Sequence, residues 1–247
     1  MTTQPKTRNR ISALSVGAMI SIVIPTLNAA ASLPSTLTAL VPGMVSGVLH
    51  EVILVDGGST DETLEIAEDA GLTIVHTERG RGQQLSAGAD VAKSDWLLFL
   101  HADTVLETGW EEEAGGFIER IEKGERPEMA AAFRFVLDDL GFMPRLLEWG
   151  VGWRCTLFAM PYGDQGLLIS RRLYDDVGGY RAIPLLEDVD LIRRLGRARV
   201  AILRTAAITN AIRYQRDGYI RRILRNWLCL LLYYCRVPIR HIVRIYN

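Results

Sequence analysis

Acidic side chains recur in three turns, each behind a short apolar run: Asp56-Gly57-Gly58-Ser59-Thr60-Asp61, His101-Ala102-Asp103 and Glu187-Asp188-Val189-Asp190. The runs Glu51 to Val55 and Asp95 to Leu100 read as buried parallel strands, which would bring Asp56 and Asp103 to one carboxyl edge of a sheet. Carboxylates gathered there suit a divalent cation, Mg2+ or Mn2+, carrying a phosphorylated ligand.

Each turn also has a plainer reading. In Asp56 to Asp61 the glycines allow close backbone approach, and the helix that follows offers donors to an anion or a polar base edge; Asp or Ser as a simple cap uses the same residue types. His101-Ala102-Asp103 follows Trp96 to Leu100 without a polar linker, so Asp103 could hold a cation bridging two phosphates of a nucleotide. His101 would join it as a ligand or contact a ribose, and a helix-capping Asp103 is the alternative.

Arg79-Gly80-Arg81-Gly82-Gln83-Gln84 places two guanidinium groups on a flexible backbone, suited to phosphate or base contacts. It lacks the third glycine of a dinucleotide fingerprint, and no P-loop Gly-Lys-Ser/Thr occurs. Glu187 and Asp188 open a helix whose apolar stripe is Val189, Ile192 and Leu195. A general base on a rigid helix and a favourable dipole placement both fit that first turn. Asp190 and Arg194, four apart, read as a surface ion pair.

The elements that must position these groups follow from the pattern. Strands are expected at Ile20 to Ile24, Glu51 to Val55, Leu72 to Val75 and Trp96 to Leu100, and helices at Ala29 to Leu40, Asp61 to Ala70 and Arg81 to Val91. Such βαβ alternation implies a mostly parallel sheet covered on both faces. After Asp103 the alternation stops. A helix at Thr108 to Ile121, a strand at Ala130 to Val136, an aromatic stretch from Leu140 to Met160 and a strand at Gly166 to Ser170 come next. Helices at Arg171 to Val177 and Leu186 to Leu195 precede strands at Val200 to Leu203 and Ala207 to Tyr214.

With 247 residues, 49% of them hydrophobic and 23% charged, the chain can bury one sizeable core. Cys155, Cys229 and Cys235 lack the C-x-x-C spacing of a zinc or redox site and read as reduced thiols of a cytoplasmic protein. Residues 1–18 read as a disordered extension, with Met19 a candidate start; a catalytic unit over 19–215 and a basic amphipathic helical segment over 216–247 complete the division.

The net charge of −1 conceals an asymmetry: from Leu191 onward thirteen arginines face only Asp217, so the preceding part is strongly acidic. That acidic body argues against a nucleic-acid partner. In the tail, Arg221, Arg222 and Arg225 precede the apolar run Trp227 to Tyr234, too short to span a bilayer. The run either lies at an anionic membrane surface or packs on the catalytic body or on a second subunit as a homodimer.

Taken together, Pro25-Thr26-Leu27-Asn28 after the first strand, Asp56 to Asp61 after the second, His101-Ala102-Asp103 after the fourth and Glu187-Asp188 downstream resemble inverting family-2 glycosyltransferases of the GT-A fold, in order and spacing, over residues 20 to 215. Leu100 to Thr104, Pro161 to Gly166, Ile183 to Leu191 and Asn226-Trp227-Leu228 look most like the branch called rSAM/selenodomain-associated glycosyltransferases. The resemblance implies an α/β GT-A nucleotide-diphospho-sugar transferase fold with a C-terminal helical tail, and metal-dependent transfer of one sugar from a nucleoside-diphosphate-sugar to a hydroxyl of a small-molecule or lipid acceptor.

Residue by residue, it implies that Pro25, Thr26 and Asn28 line the nucleotide pocket, Asp56 contacts the base, Arg81 positions the donor, and Asp103 with His101 holds Mg2+ or Mn2+. Asp164 and Gln165 would hydrogen-bond sugar hydroxyls, and Asp188 would be the base, with Glu187 the alternate. The chain departs from the family in carrying His101 where many relatives have Asp, and in lacking the Gln-x-x-Arg-Trp motif, which disfavours processive polymer synthesis. A non-catalytic nucleotide-sugar binder and a nucleotidyltransferase are the alternatives. The expected location is cytoplasmic, peripheral to the inner face of the membrane.

Overall fold

The computed structural model describes residues 19–158 and 160–246; the expected extension over 1–18 lies outside them. The first half alternates β1 (Ile20–Thr26), α1 (Leu33–Ser46), β2 (Leu49–Asp56), α2 (Thr63–Asp69), β3 (Thr73–His76), α3 (Arg81–Val91) and β4 (Trp96–Phe99). The second half continues β5 (Thr104–Leu106), α4 (Trp110–Glu122), β6 (Ala130–Asp138), α5 (Phe142–Phe158), β7 (Leu167–Ser170), α6 (Arg171–Asp176), α7 (Glu187–Leu195), β8 (Val200–Asn210), α8 (Ile212–Asp217), α9 (Tyr219–Tyr234) and α10 (Ile239–Tyr246).

All eight strands join one sheet in the order β3-β2-β1-β4-β7-β6-β8-β5. The β3-β2-β1-β4 half is wholly parallel, as the βαβ pattern predicts, so the turns after β1, β2 and β4 emerge at one edge. The other half is mixed: β7 runs antiparallel to β4 and β6, β6 and β8 are parallel, and β5 is antiparallel to β8.

Alternation along the central strands divides the core between two faces. Ile20, Ile22, Ile24, Trp96 and Leu98 pack with Leu40 of α1 and Trp110 and Phe117 of α4. Val23, Leu97 and Phe99 face the other way, against Leu85 and Ala89 of α3 and Leu191, Ile192 and Leu195 of α7. Strands buried on both faces read as continuous apolar runs, which is why β1, β2 and β4 were visible without a period-2 pattern. Close approach of α3 to the sheet depends on Gly88, where a Cβ would lie 2.3 Å from Val23 Cγ1 and 2.8 Å from Val55 Cγ2.

Four elements differ from expectation. The three-residue strand β5 directly follows Asp103 and is too short to carry a periodic signal. The two strands expected between Val200 and Tyr214 are one strand, β8, whose register against β6 shifts between Ala132 and Arg134, and the chain is already helical from Ile212. The aromatic stretch after Leu140 is the 17-residue helix α5. Helix α8 crosses the boundary expected at 215/216. Cys155, Cys229 and Cys235 are free.

Candidate active site

The turns after β1 and β2 are stitched into one unit. Asp56 Oδ2 accepts from the backbone N–H groups of Gly58 and Ser59, both at 2.9 Å, while Oδ1 accepts from Ser59 Oγ at 2.5 Å and Thr26 Oγ1 at 3.4 Å. Burial alone would raise the Asp56 pKa, but the Ser59, Gly58 and Thr26 donors outweigh it and hold the carboxyl below its ordinary value. Asn28 adopts positive φ (53°), and its Oδ1 accepts from the Thr60 N–H at 2.8 Å while its own N–H donates to Ser59 Oγ. From α3, Gln84 Nε2 donates to the carbonyls of Thr26 and Val55, each at 2.8 Å. Thr26 and Asp56 are buried, Pro25 is half-buried, and Asn28 is at the surface.

A second unit centres on the turn Gly163–Gln165, a single 3-10 turn ahead of β7. His101 Nδ1 lies 3.2 Å from Asp164 Oδ1, and the Gly163 N–H donates to Asp188 Oδ2 at 2.6 Å. Gly163 is held tightly between the two: a Cβ there would sit 2.7 Å from His101 Nε2 and 3.3 Å from Asp188 Oδ2. The turn after β4 and the first turn of α7, 87 positions apart in the chain, thus meet on one glycine.

Helix α7 opens at Leu186, itself in the left-handed region at φ 64°. Glu187 and Asp188 diverge from there. Glu187 is 2% exposed, and Arg81 Nη1 approaches its Oε1 to 3.4 Å, an ion pair whose geometry makes no hydrogen bond. Burial, with the neighbouring Asp188 charge adding to it, pushes the Glu187 carboxyl above its ordinary value, and Arg81 offsets this only in part. Asp188 is half-buried, and its Oδ1 accepts from the Val189 N–H at 2.7 Å. Arg81 is brought to α7 because Gly82 lets the Arg181 carbonyl in; a Cβ on Gly82 would meet that oxygen at 2.1 Å.

Arg81, Asp164, Glu187 and Asp188 share one cavity of about 150 Å3 with Arg154 and Tyr162. Its remaining wall is largely apolar and comes from α5 and α9, including Leu147, Val151, Ile223 and Leu230. Gln165 also borders it, but its side chain is turned inward: Nε2 donates to the Phe133 carbonyl at 2.9 Å, and Oε1 accepts from Cys155 Sγ and the Tyr162 N–H. The expected surface pair Asp190–Arg194 forms at 2.8 Å, but both side chains are less than a fifth exposed. It ties α7 to the Val177 and Gly179 carbonyls, and Asp190 also accepts from Tyr233 of α9.

Gly163 and Tyr162 entered the sequence reading only within the motif Pro161 to Gly166, and Arg154 and the α5 and α9 wall did not enter it. Gly163 stood inside a quoted motif, yet its role depends on what lies on either side of it in space. Among the described residues no group of three or more His, Cys, Asp or Glu is assembled to hold a metal ion. Asp103 is half-buried, and none of the hydrogen bonds or ion pairs among the described residues falls on its carboxylate.

Residues 21–149 match the model of glycosyl transferase family 2. The chain belongs to that family. It is 33% identical over 172 residues to the PGL/p-HBAD biosynthesis glycosyltransferase of Mycobacterium bovis, a match covering 66% of this chain and 63% of the relative. The chain thus spans less than two thirds of the curated relatives of this kind.

Among solved structures it resembles the glucosyl-3-phosphoglycerate synthase of Mycobacterium tuberculosis, in complex with Mn2+ and UDP-glucose, at TM-score 0.61 and 21% identity, covering 96% of this chain and 86% of that one. A mannosyltransferase of Pyrobaculum calidifontis, in complex with GDP-Man and Mn2+, superposes at TM-score 0.62 with 17% identity, over 86% and 61%. The fold is that of the GT-A glycosyltransferases.

Proposed function

We propose that this chain is a metal-dependent inverting glycosyltransferase that moves a single sugar from a nucleoside-diphosphate-sugar to a hydroxyl of a small-molecule or lipid acceptor. The observation that carries this reading is the contrast between adjacent acids at one cavity: Glu187 is buried against Arg81, while Asp188 faces the cavity with Oδ2 held by the Gly163 N–H. A base needs a carboxylate within reach of the acceptor hydroxyl, in the ionised state, on a rigid support. Asp188 reaches the cavity on the first turn of α7 with Oδ2 fixed by the Gly163 N–H, whereas burial of Glu187 favours its neutral form.

In this reading Asp188 takes the proton of the acceptor hydroxyl as its oxygen attacks the anomeric carbon, on the face opposite the departing nucleoside diphosphate. Arg81 and Arg154 contribute positive potential at the cavity, and Asp164, oriented by His101, is placed to receive sugar hydroxyls. Pro25, Thr26, Asn28 and Asp56 form the nucleotide end, where the Asp56 hydrogen bonds fix the turn that would meet the base. Gln165 acts by shaping the turn that carries Asp164.

The residues fit a cation that arrives with its substrate. Mg2+ and Mn2+ are commonly held by one or two carboxylates plus substrate phosphates, and Asp103 supplies a carboxylate with no hydrogen bond or ion pair among the described residues, with His101 two positions before it. Asp103 and His101 would hold such a cation, whose chemistry there is charge neutralisation at the diphosphate. Support comes from the Mn2+ and nucleotide-sugar complexes of the two structural neighbours. The site of action in this reading is cytoplasmic, peripheral to the inner face of the membrane where the acceptor is a lipid. No helix among the described residues is long and apolar enough to cross one.

The test is the release of nucleoside diphosphate from a donor sugar by the wild-type chain and by Asp188→Asn. Loss of about 10²- to 10⁴-fold in rate with unchanged donor affinity is expected for removal of a general base. Equal rates would move the base elsewhere.

A further inference from the structure

Helices α5 and α9 carry the same unsatisfied pattern. On α5, Phe142, Leu146, Trp149 and Trp153 are spaced i, i+4, i+7, i+11 and are 44% to 77% exposed. On α9, Ile220, Leu224, Trp227 and Leu231 repeat that spacing at 59% to 64% exposure. Each stripe lies opposite its helix's buried face: Val151 and Cys155 on α5, Arg222 and Cys229 on α9. The two helices are neighbours, since Leu147, Val151 and Ile223 belong to one packed cluster and border the cavity that holds Asp188. Eight large apolar side chains on two neighbouring helices, Trp227 among them bordering the cavity, are far more than the scattered exposed residues of an ordinary surface.

Charge and composition identify the occupant. Beside the cavity lies a cleft of about 500 Å3 walled by Arg79, Arg216, Arg221, Arg222 and Arg225, with Asp217 as the only carboxylate among its lining residues. Tyr246 borders both cleft and cavity. Three further arginines, Arg236, Arg240 and Arg244, are exposed on the last turns of the chain. A basic cleft next to two amphipathic helices with three tryptophans matches an anionic bilayer, whose headgroups take arginine and whose interface favours the indole ring. At 17 and 16 residues, and with their inner faces packed on the body of the protein, the helices would lie along the interface instead of crossing it.

We propose that the outward faces of α5 and α9 form a docking surface for an anionic phospholipid membrane, with the arginine cleft receiving headgroup phosphate, so that the cavity opens toward the lipid side. The delivery of a lipid hydroxyl to Asp188 by this route rests on the glycosyltransferase reading; the docking surface itself does not.

Flotation of the full chain with vesicles tests it. The chain is expected to float with vesicles of phosphatidylcholine and phosphatidylglycerol in equal parts, to float poorly with phosphatidylcholine alone, and to lose binding as salt is raised. Trp149→Ser with Trp153→Ser, and separately Leu224→Ser with Leu231→Ser, should each lower partitioning about tenfold or more. Arg216→Glu with Arg221→Glu should abolish the preference for anionic vesicles. Donor-induced rise in melting temperature, read on the same variants, should be unchanged, which separates failure of this surface from failure of the catalytic reading. No flotation of the wild-type chain with anionic vesicles overturns the proposal. So does a wild-type dimer in sedimentation that either pair of Ser substitutions dissociates, which would assign the face to a second copy.

Discussion

The backbone N–H of Gly163 donates to Asp188 Oδ2 at 2.6 Å, while the His101 ring fills the space where a Cβ on the same glycine would sit. The contact joins the turn after β4 to the start of α7, and it orients the carboxylate proposed as base. Gly163→Ala would drive a Cβ to 2.7 Å from His101 Nε2. The expected result is a cost of about 1–3 kcal/mol in stability from overpacking, with a loss of donor turnover larger than the loss of donor affinity. Denaturant titration and paired rate and binding measurements check it; unchanged turnover would detach Gly163 from the positioning of Asp188.

Gly82 makes an analogous prediction one layer away. The Arg181 carbonyl occupies the space of its missing Cβ, so Gly82→Ala must displace either α3 or the segment leading into α7. A destabilisation of about 1–3 kcal/mol is expected, together with weakened donor binding as Arg81 leaves Glu187. Normal stability would show that the Arg181 segment yields without cost.

The buried acids give opposite pH signatures. The Glu187 pKa is raised by burial, so its contribution is fully present below 4.5, its ordinary value, and is lost as pH rises through the folded value. Glu187→Gln removes that loss. The melting temperature of the variant relative to wild type should therefore be higher at about pH 8 than at about pH 4.5. A difference constant with pH would contradict the assignment.

Asp56 works the other way. Its pKa is lowered on balance by the Ser59, Gly58 and Thr26 donors, so its stabilisation is present above 3.8 and is lost as pH falls through the depressed folded value. Asp56→Asn should reduce stability near neutrality, because an amide cannot accept in the same way from two backbone N–H groups and a hydroxyl, and should flatten the acid limb of the stability curve. An acid limb identical to wild type would place that dependence on other carboxylates, Glu113 among them, whose pKa is also lowered.

What the sequence made legible follows its physics. Strands β1, β2 and β4 are buried on both faces, so Ile20 to Ile24, Glu51 to Val55 and Trp96 to Leu100 stood out as apolar runs, and the turns behind them carried the acids. Helix α3 was bounded correctly at Arg81 and Val91 because Gly80 and the polar residues after Val91 punctuate it. Strand β5 was missed because three residues carry no period, and β8 was split because its register irregularity and the Arg204-Thr205 pair interrupt the apolar run.

The site was partly legible for the same reason. Asp56, His101, Asp103, Glu187 and Asp188 are at the ends of elements, where motif spacing reports position. The inward turn of Gln165, the capping use of Asn28 and the burial of Glu187 depend on partners tens of residues away, such as Phe133, Thr60 and Arg81. No local pattern records those. The cavity wall from α5 and α9 is similarly a matter of how the tail returns across the sheet edge.

In the proposed function this edge binds a nucleoside-diphosphate-sugar through a cation held at Asp103. Calorimetric titration of UDP-, GDP- and dTDP-sugars into the wild-type chain and into Asp103→Ala, each with Mn2+ and with chelator, tests it most directly. At least one donor is expected to bind the wild-type chain with Mn2+, to weaken sharply on chelation, and to bind Asp103→Ala with the same low affinity whether Mn2+ is present or not. Donor binding that is equally tight in folded Asp103→Ala and indifferent to chelation, or no binding of any donor to folded wild-type chain, would contradict it.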